Sequence, residues 1–199
     1  MLVLMHSIPK QLHMRVDALA ILGTGLGEPE RYAQAFADWN DPGSAARFCF
    51  VTGAYQAEHQ AFIQTPDSLS ERFGFIRRDG LFVQPEADHT LHQAEWTREQ
   101  VQNTGATSVA VYAPHYHLLR AWLTFVQSIV VKANITIPVI PVQVDVSPFS
   151  VLSQFAEDGI LRHQLIAGEF DRARQYTQKG NVADFPEVFK YMKWLWKNL

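Results

Sequence analysis

The 199 residues, 47% hydrophobic and 19% charged, suffice for one domain burying roughly 70% of the surface its unfolded chain would expose, which excludes disordered and fibrous classes. A formal net charge of −3 without any long lysine or arginine run argues against a nucleic-acid partner, whose phosphates require a basic surface. The single cysteine, Cys49, excludes an intrachain disulfide and a cysteine-rich zinc site, and its neighbours Phe48 and Phe50 mark it as a buried strand thiol.

Residues 1–6 are apolar but far short of the roughly 20 residues that cross a bilayer, and they lack a basic segment and a cleavage site, so the expectation is a cytoplasmic protein without a membrane partner. Residues 16–22 form a compact apolar run of strand length, ending in the turn Gly23-Thr24-Gly25-Leu26-Gly27 and followed by a helical pattern that opens at Glu28-Pro29-Glu30 and runs through Asp38. A proline and acidic residues suit a helix N-terminus. Residues 47–51 are a second strand with its exit turn at Thr52-Gly53-Ala54-Tyr55. Residues 56–74 read as helix broken near Thr65-Pro66-Asp67, with Asp67 or Ser68 as the cap of a short second helix that ends at Gly74.

Residues 81–83 are a short third strand, 90–103 a helix stopped by Gly105, and 108–112 a fourth strand. The turn Ala113-Pro114-His115-Tyr116-His117 leads into an apolar helix expected from about residue 118 to 131. Residues 137–142 are a fifth strand whose prolines place it at an edge. From residue 149 the pattern is helical, over 149–156, 161–178 and 185–199. Phe185, Phe189, Tyr191, Trp194 and Trp196 recur at helical spacing and are expected to pack as core.

Alternating strands and helices predict an α/β fold: a mainly parallel five-stranded sheet covered by helices on both faces, with right-handed crossovers. The chain reads as a single domain over 1–199, with a sheet core over 16–143 and a helical extension over 149–199 packed on it. In such a sheet, ligands bind outside the carboxyl ends of the strands, near the reversal of strand order. That rule gathers the loops at residues 23–27, 52–55, 85–90 and 113–120 into one region.

The first of these loops is glycine-rich between strand and helix, where backbone N–H groups and the helix dipole favour an anion. It is neither the dinucleotide fingerprint, since Glu28 stands three after Gly25 where glycine or alanine is expected, nor a P-loop. His117 and Arg120, three apart, share a helix face and suit a phosphate or carboxylate, with His117 available for proton transfer. The alternative is that Arg120 pairs with a nearby acid and His117 caps the helix. His89, His92, His115 and His117 with Glu86 and Asp88 contain donors that divalent metals accept, but at no ligand spacing, so no metal is expected. No serine elbow is present.

The loops together resemble the YdcF-like family, the domain of unknown function typified by SanA, ElyC and YdcF. The likeness rests on Ile21-Leu22-Gly23-Thr24-Gly25 with Arg31, on Val51-Thr52-Gly53-Ala54, on Glu86 with Thr90-Leu91-His92-Gln93, and on Tyr116-His117-Leu118-Leu119-Arg120-Ala121. The last match is complete; Ala54 and Gln93 depart from the family's glycine and asparagine. The resemblance covers about residues 17–142 and leaves the tail, including Gly168-Glu169-Phe170-Asp171-Arg172, unmapped. It implies a Rossmann-like three-layer fold in which Gly23, Gly25, Arg31, Thr52, Gly53, Glu86, Thr90, Gln93, His117 and Arg120 line one cleft.

Three readings of function follow. The first is a small-molecule-binding protein whose ligand is anionic, of nucleotide type or otherwise phosphate-bearing, with no cofactor identified. Its ligand-binding residues are Gly23, Thr24, Gly25, Arg31, Thr52, Gly53, Thr90, Gln93, His115 and Arg120. The second is an enzyme of transferase or hydrolase type, with His117 as general acid or base and Glu86 orienting it or a water. The third is a non-catalytic interaction protein that forms a homodimer through the tail helices.

Overall fold

The computed structural model describes residues 15–23, 29–44, 46–53, 65–76, 79–87, 89–150 and 159–198. Five strands, β1 (Ala18–Leu22), β2 (Phe48–Thr52), β3 (Leu81–Gln84), β4 (Val109–Pro114) and β5 (Val139–Val144), form one sheet in the order β3-β2-β1-β4-β5. Every pairing is parallel, with Ala18 beside both Phe48 and Val109. The chain builds outward from β1 to β3, then returns to the other side of β1 for β4 and β5. The order therefore reverses between β1 and β4, where a three-layer α/β fold of Rossmann-like type opens a crevice at its strand ends.

β1 lies at the centre and is fully buried. Its side chains alternate between two cores, as the period of a strand requires. Ala18, Ala20 and Leu22 face a cluster completed by helices α3 (Thr90–Thr104), α4 (His115–Phe125) and α6 (Phe185–Asn198), through Ala94 and Val101, Leu118, Ala121 and Phe125, and Tyr191 and Leu195. Leu19 and Ile21 face Tyr32, Ala35 and Trp39 of α1 (Pro29–Asn40) and Leu69 of α2 (Pro66–Phe73). Cys49 is a buried thiol in β2, as its apolar neighbours imply. Gly80 admits no side chain: a Cβ there would lie 1.9 Å from the Arg47 carbonyl oxygen.

The amino end of the sheet is tied by Asp17. Its carboxylate accepts from Arg47 Nε at 2.5 Å and Nη2 at 2.6 Å, and from the Thr107 backbone N–H at 2.9 Å. Its own N–H donates to Ser108 Oγ at 2.8 Å. The Arg47 hydrogen bonds hold the Asp17 carboxyl below its usual range, against the opposing effect of burial.

Boundaries differ from expectation where proline and side-chain capping act. Pro66 at the first position of α2 drives Thr65 into extended backbone, so Thr65, and not Asp67 or Ser68, is the cap; its hydroxyl and that of Ser68 form a reciprocal capping box. Gly74 and Gly105 close α2 and α3 in the left-handed conformation, as expected of them. α4 starts three residues early, directly after Pro114, because β4 stays extended to that proline. Its last turns widen into a π-helix, Val126–Lys132, and Asn134 at φ 55° ends the element.

β5 is an edge strand that tolerates Pro141; the Tyr191 hydroxyl accepts from the Val139 N–H at 2.6 Å and donates to the Ile137 carbonyl at 2.9 Å. A short 3₁₀ turn (Arg162–Gln164) precedes α5 (Leu165–Gln178). The helix expected over 56–64 lies outside the described residues, as does most of the one expected over 149–156. The expectation that all five tail aromatics pack as core is corrected. Tyr191 is buried, but Phe185 and Trp196 are each 79% exposed and Phe189 is 51% exposed. The arc of α6 that meets the sheet domain is centred on Val188, Tyr191 and Leu195, and those three aromatics lie off it. Among the described residues, no helix is long and apolar enough to cross a membrane.

Candidate functional site

The carboxyl end of β1 is bonded by side chains from two helices. Arg31, buried in the first turn of α1, donates to the Leu22 carbonyl, and Gln93 Nε2, buried in α3, donates to the Gly23 carbonyl at 3.0 Å. Both carbonyls lie at the carboxyl end of β1, and each takes a side-chain donor there. The neighbouring backbone amides are spent within the sheet: the Gly23 N–H donates to the Thr52 carbonyl and the Gly53 N–H to the Gln84 carbonyl at 3.2 Å. The Thr52 hydroxyl donates to the Ile21 carbonyl at 3.3 Å. The backbone N–H groups of these two glycines are therefore already engaged.

Polar side chains meet where β4 gives way to α4. Because α4 begins at His115, His117 and Arg120 share its first turns, and Thr90 at the start of α3 faces both. His117 Nε2 lies 3.3 Å from Thr90 Oγ1, and His117 Nδ1 lies 3.1 Å from Glu169 Oε2. Arg120 forks onto the same carboxylate, Nε to Oε2 at 2.6 Å and Nη2 to Oε1 at 3.2 Å, and its Nη1 donates to Thr90 Oγ1 at 3.2 Å. Arg172, one turn along α5, adds Nη1 to Oε1 at 2.6 Å.

Placing the hydrogen on His117 Nδ1 satisfies the Glu169 carboxylate, which only accepts, and leaves the Nε2 lone pair to the Thr90 hydroxyl. A second proton on the ring, which would make it cationic, is opposed by Arg120 Nη2, 3.0 Å from Nδ1. Burial holds the imidazole below its usual range, and the guanidiniums of Arg120 and Arg31 push the same way, against the hydrogen bond and charge of Glu169. Burial pushes the Glu169 carboxyl up, but the hydrogen bonds from His117 and Arg120 and the Arg120 charge outweigh it, and the group is held well below the usual carboxylate range. The site at neutral pH is thus a neutral imidazole and an ionised glutamate among three guanidiniums.

One consequence is measurable. The unfolded chain's imidazole takes up a proton near its ordinary 6.5, and the folded one only at lower pH. His117 therefore subtracts stability progressively as pH falls below 6.5, until the folded ring also titrates. Long-range ¹H–¹⁵N spectra should show the His117 nitrogens titrating below 6.5 with Nδ1–H as the neutral tautomer. Titration above that value would mean the Glu169 charge dominates the ring.

Of the residues singled out in the sequence, the structure brings Gly23, Arg31, Thr52, Gly53, Thr90, Gln93, His117 and Arg120 to the carboxyl ends of β1, β2 and β4 and the helix starts beside them. Arg31 is close enough to act on the ionisation of His117. Thr24 and Gly25 lie outside the described residues. His115 opens α4 with its ring edge-on to Tyr116, centroids 5.6 Å apart. Glu86 is exposed in the turn after β3, its N–H donating to Gln84 Oε1 at 2.6 Å. The carboxylate on His117 belongs instead to Glu169.

Glu169 and Arg172 are the residues that sequence reasoning missed, because α5 lies beyond the span of the family resemblance. The available signal was chemical: a buried histidine and arginine need a counter-anion, and Glu169 and Arg172 pair an acid with a base three apart on the tail. Arg162 is a second buried arginine from that region, with Nη2 4.0 Å from Glu30 Oε1 at the start of α1. Among the described residues, no group of three or more histidines, cysteines or acids stands where it could hold a metal ion. No protein-family model matches the chain, and no curated protein or solved structure matches it.

Proposed function

We propose that the chain is a YdcF-like protein that binds an anionic small molecule, of nucleotide or other phosphate-bearing type, at the carboxyl ends of β1 and β4. The observation that carries this reading is the convergence of Arg31, Arg120 and His117, with Thr90, at the reversal of strand order. Guanidiniums in fork geometry recognise phosphate and carboxylate oxygens, and the location is where open α/β sheets take ligands.

The position of His117 favours a second reading, an enzyme of transferase or hydrolase type. Its Nε2 lone pair faces a hydroxyl at 3.3 Å while Glu169 holds Nδ1, the arrangement in which an imidazole accepts a proton from a hydroxyl or water. One panel tests both readings: inorganic phosphate, sugar phosphates, nucleotides and adenosyl compounds, each scored for a rise in melting temperature and for release of phosphate. Phosphate-bearing compounds are expected to stabilise the protein. Binding without release supports the first reading alone, and no stabilisation by any anion overturns it.

A further inference from the structure

Helix α5 is built unlike the other helices of the domain. Its only buried residue is Glu169; Leu165, Ile166, Phe170 and Tyr176 are half-exposed, and Ala167 and Gly168 face solvent. Helices normally attach through a buried apolar stripe, and α3, α4 and α6 each bury several or at least two side chains in the core. α5 packs mainly on α4, and its one deep attachment is a carboxylate held by His117, Arg120 and Arg172. An element with few buried apolar contacts opens at low cost.

The donors around that carboxylate belong to the sheet domain's own functional cluster. Arg120 grips the two oxygens of Glu169 with the fork it would offer to a phosphate. Thr90 Oγ1 lies 3.2 Å from the same guanidinium, and Arg31 acts on the same imidazole.

We propose that His117, Arg120 and Thr90 form an oxyanion subsite whose resident occupant is the chain's own Glu169, and that a phosphate group binds by taking its place and releasing α5. The inference rests on the anion-binding reading above and names both the ligand group and its internal competitor. A tethered carboxylate competes at high effective concentration. The displacing group must therefore offer the guanidiniums more than one negative charge, which a phosphate dianion does and a free carboxylate does not. The proton on His117 Nδ1 serves either occupant as a donor.

The test is calorimetric titration of inorganic phosphate into the full chain, at fixed ionic strength, with acetate as the monoanionic comparison. Glu169→Gln keeps the side-chain shape but not the charge, and should bind phosphate about tenfold or more tightly than the wild type, since the competent state no longer has to be released. Arg172→Ala, on the exposed side of α5, loosens only the outer clasp and should tighten binding by a few fold. Acetate should compete with phosphate in Glu169→Gln and not in the wild type. Amides of α5 should exchange faster in the phosphate-saturated wild type than in the free protein.

If phosphate binds in an Arg120-dependent manner but Glu169→Gln and Arg172→Ala bind it no more tightly, Glu169 is a fixed part of the site and this inference falls while anion binding stands. If neither wild type nor Glu169→Gln binds phosphate, both fall. Should Glu169→Gln fail to fold, Arg172→Ala and the exchange of α5 amides in the wild type decide the matter.

Discussion

Replacing Arg120 with alanine should eliminate the rise in melting temperature that an anionic ligand gives the wild-type protein. One guanidinium spans the whole cluster, with Nε and Nη2 on the Glu169 carboxylate and Nη1 on Thr90, and an incoming oxyanion would meet the same fork. A charge-assisted hydrogen bond contributes about 1.5–3 kcal/mol, so losing a bidentate pair weakens binding about 100-fold or more. Arg120→Lys keeps the charge without the planar fork and should recover only part of the shift. The unliganded variant should melt lower than the wild type, since Glu169 keeps His117 and Arg172 but loses the fork, so the ligand-induced shift is read against each variant's own unliganded melting temperature. A ligand that still stabilised Arg120→Ala in full would remove Arg120 from the site.

The largest loss of stability should come from Trp39→Ala. Trp39 is fully buried on the α1 face of the sheet, its indole N–H donates to the Ile76 carbonyl at 2.9 Å, and Gly80 approaches its ring closely. Removing it deletes a large apolar volume, leaves a cavity between α1 and the start of β3, and strands a carbonyl. Changes of this kind cost about 3–5 kcal/mol, which for a chain of this size lowers the melting temperature by roughly 10 °C. Urea unfolding measures it directly; a loss below about 1 kcal/mol, the range of a surface substitution, would mean that α1 does not seat against the sheet through Trp39. Ligand affinity should be unaffected, since Trp39 lies about two helical turns from Arg31, near the other end of α1.

The sheet was legible because its strands announce themselves. Residues 18–22 and 109–113 are uninterrupted apolar runs between turn signals, and parallel strands buried on both faces require that pattern. Thr90 and the His–Arg pair of α4 were also legible, since a rule about strand ends turns their scattered loops into neighbours, whereas Arg31 and Gln93 were singled out only by the family resemblance.

Glu169 was not. It lies 49 residues beyond Arg120, on a helix with no periodic apolar face to show how it attaches, and nothing local distinguishes it from a solvated glutamate. Glu86 drew attention for the opposite reason: it follows a strand in a promising loop, but the turn points it to solvent. The tail aromatics misled because α6 carries more of them than its buried arc can take, and spacing alone cannot say which of two adjacent arcs turns inward.

Asp17 and Glu169 are each a carboxylate gripped by arginine, at opposite poles of the same central strands, and the difference in what surrounds them divides the molecule's labour. At the lower pole the carboxylate holds the Arg47 side chain and the backbone and hydroxyl of Thr107, the residues that lead into β2 and β4, so it ties the entries of the strands themselves. At the upper pole the equivalent knot is tied by side chains alone, to a helix the sheet does not need. Drift in the lower knot would be felt as fragility, whereas drift in the upper one could retune affinity over a wide range while the scaffold stays intact.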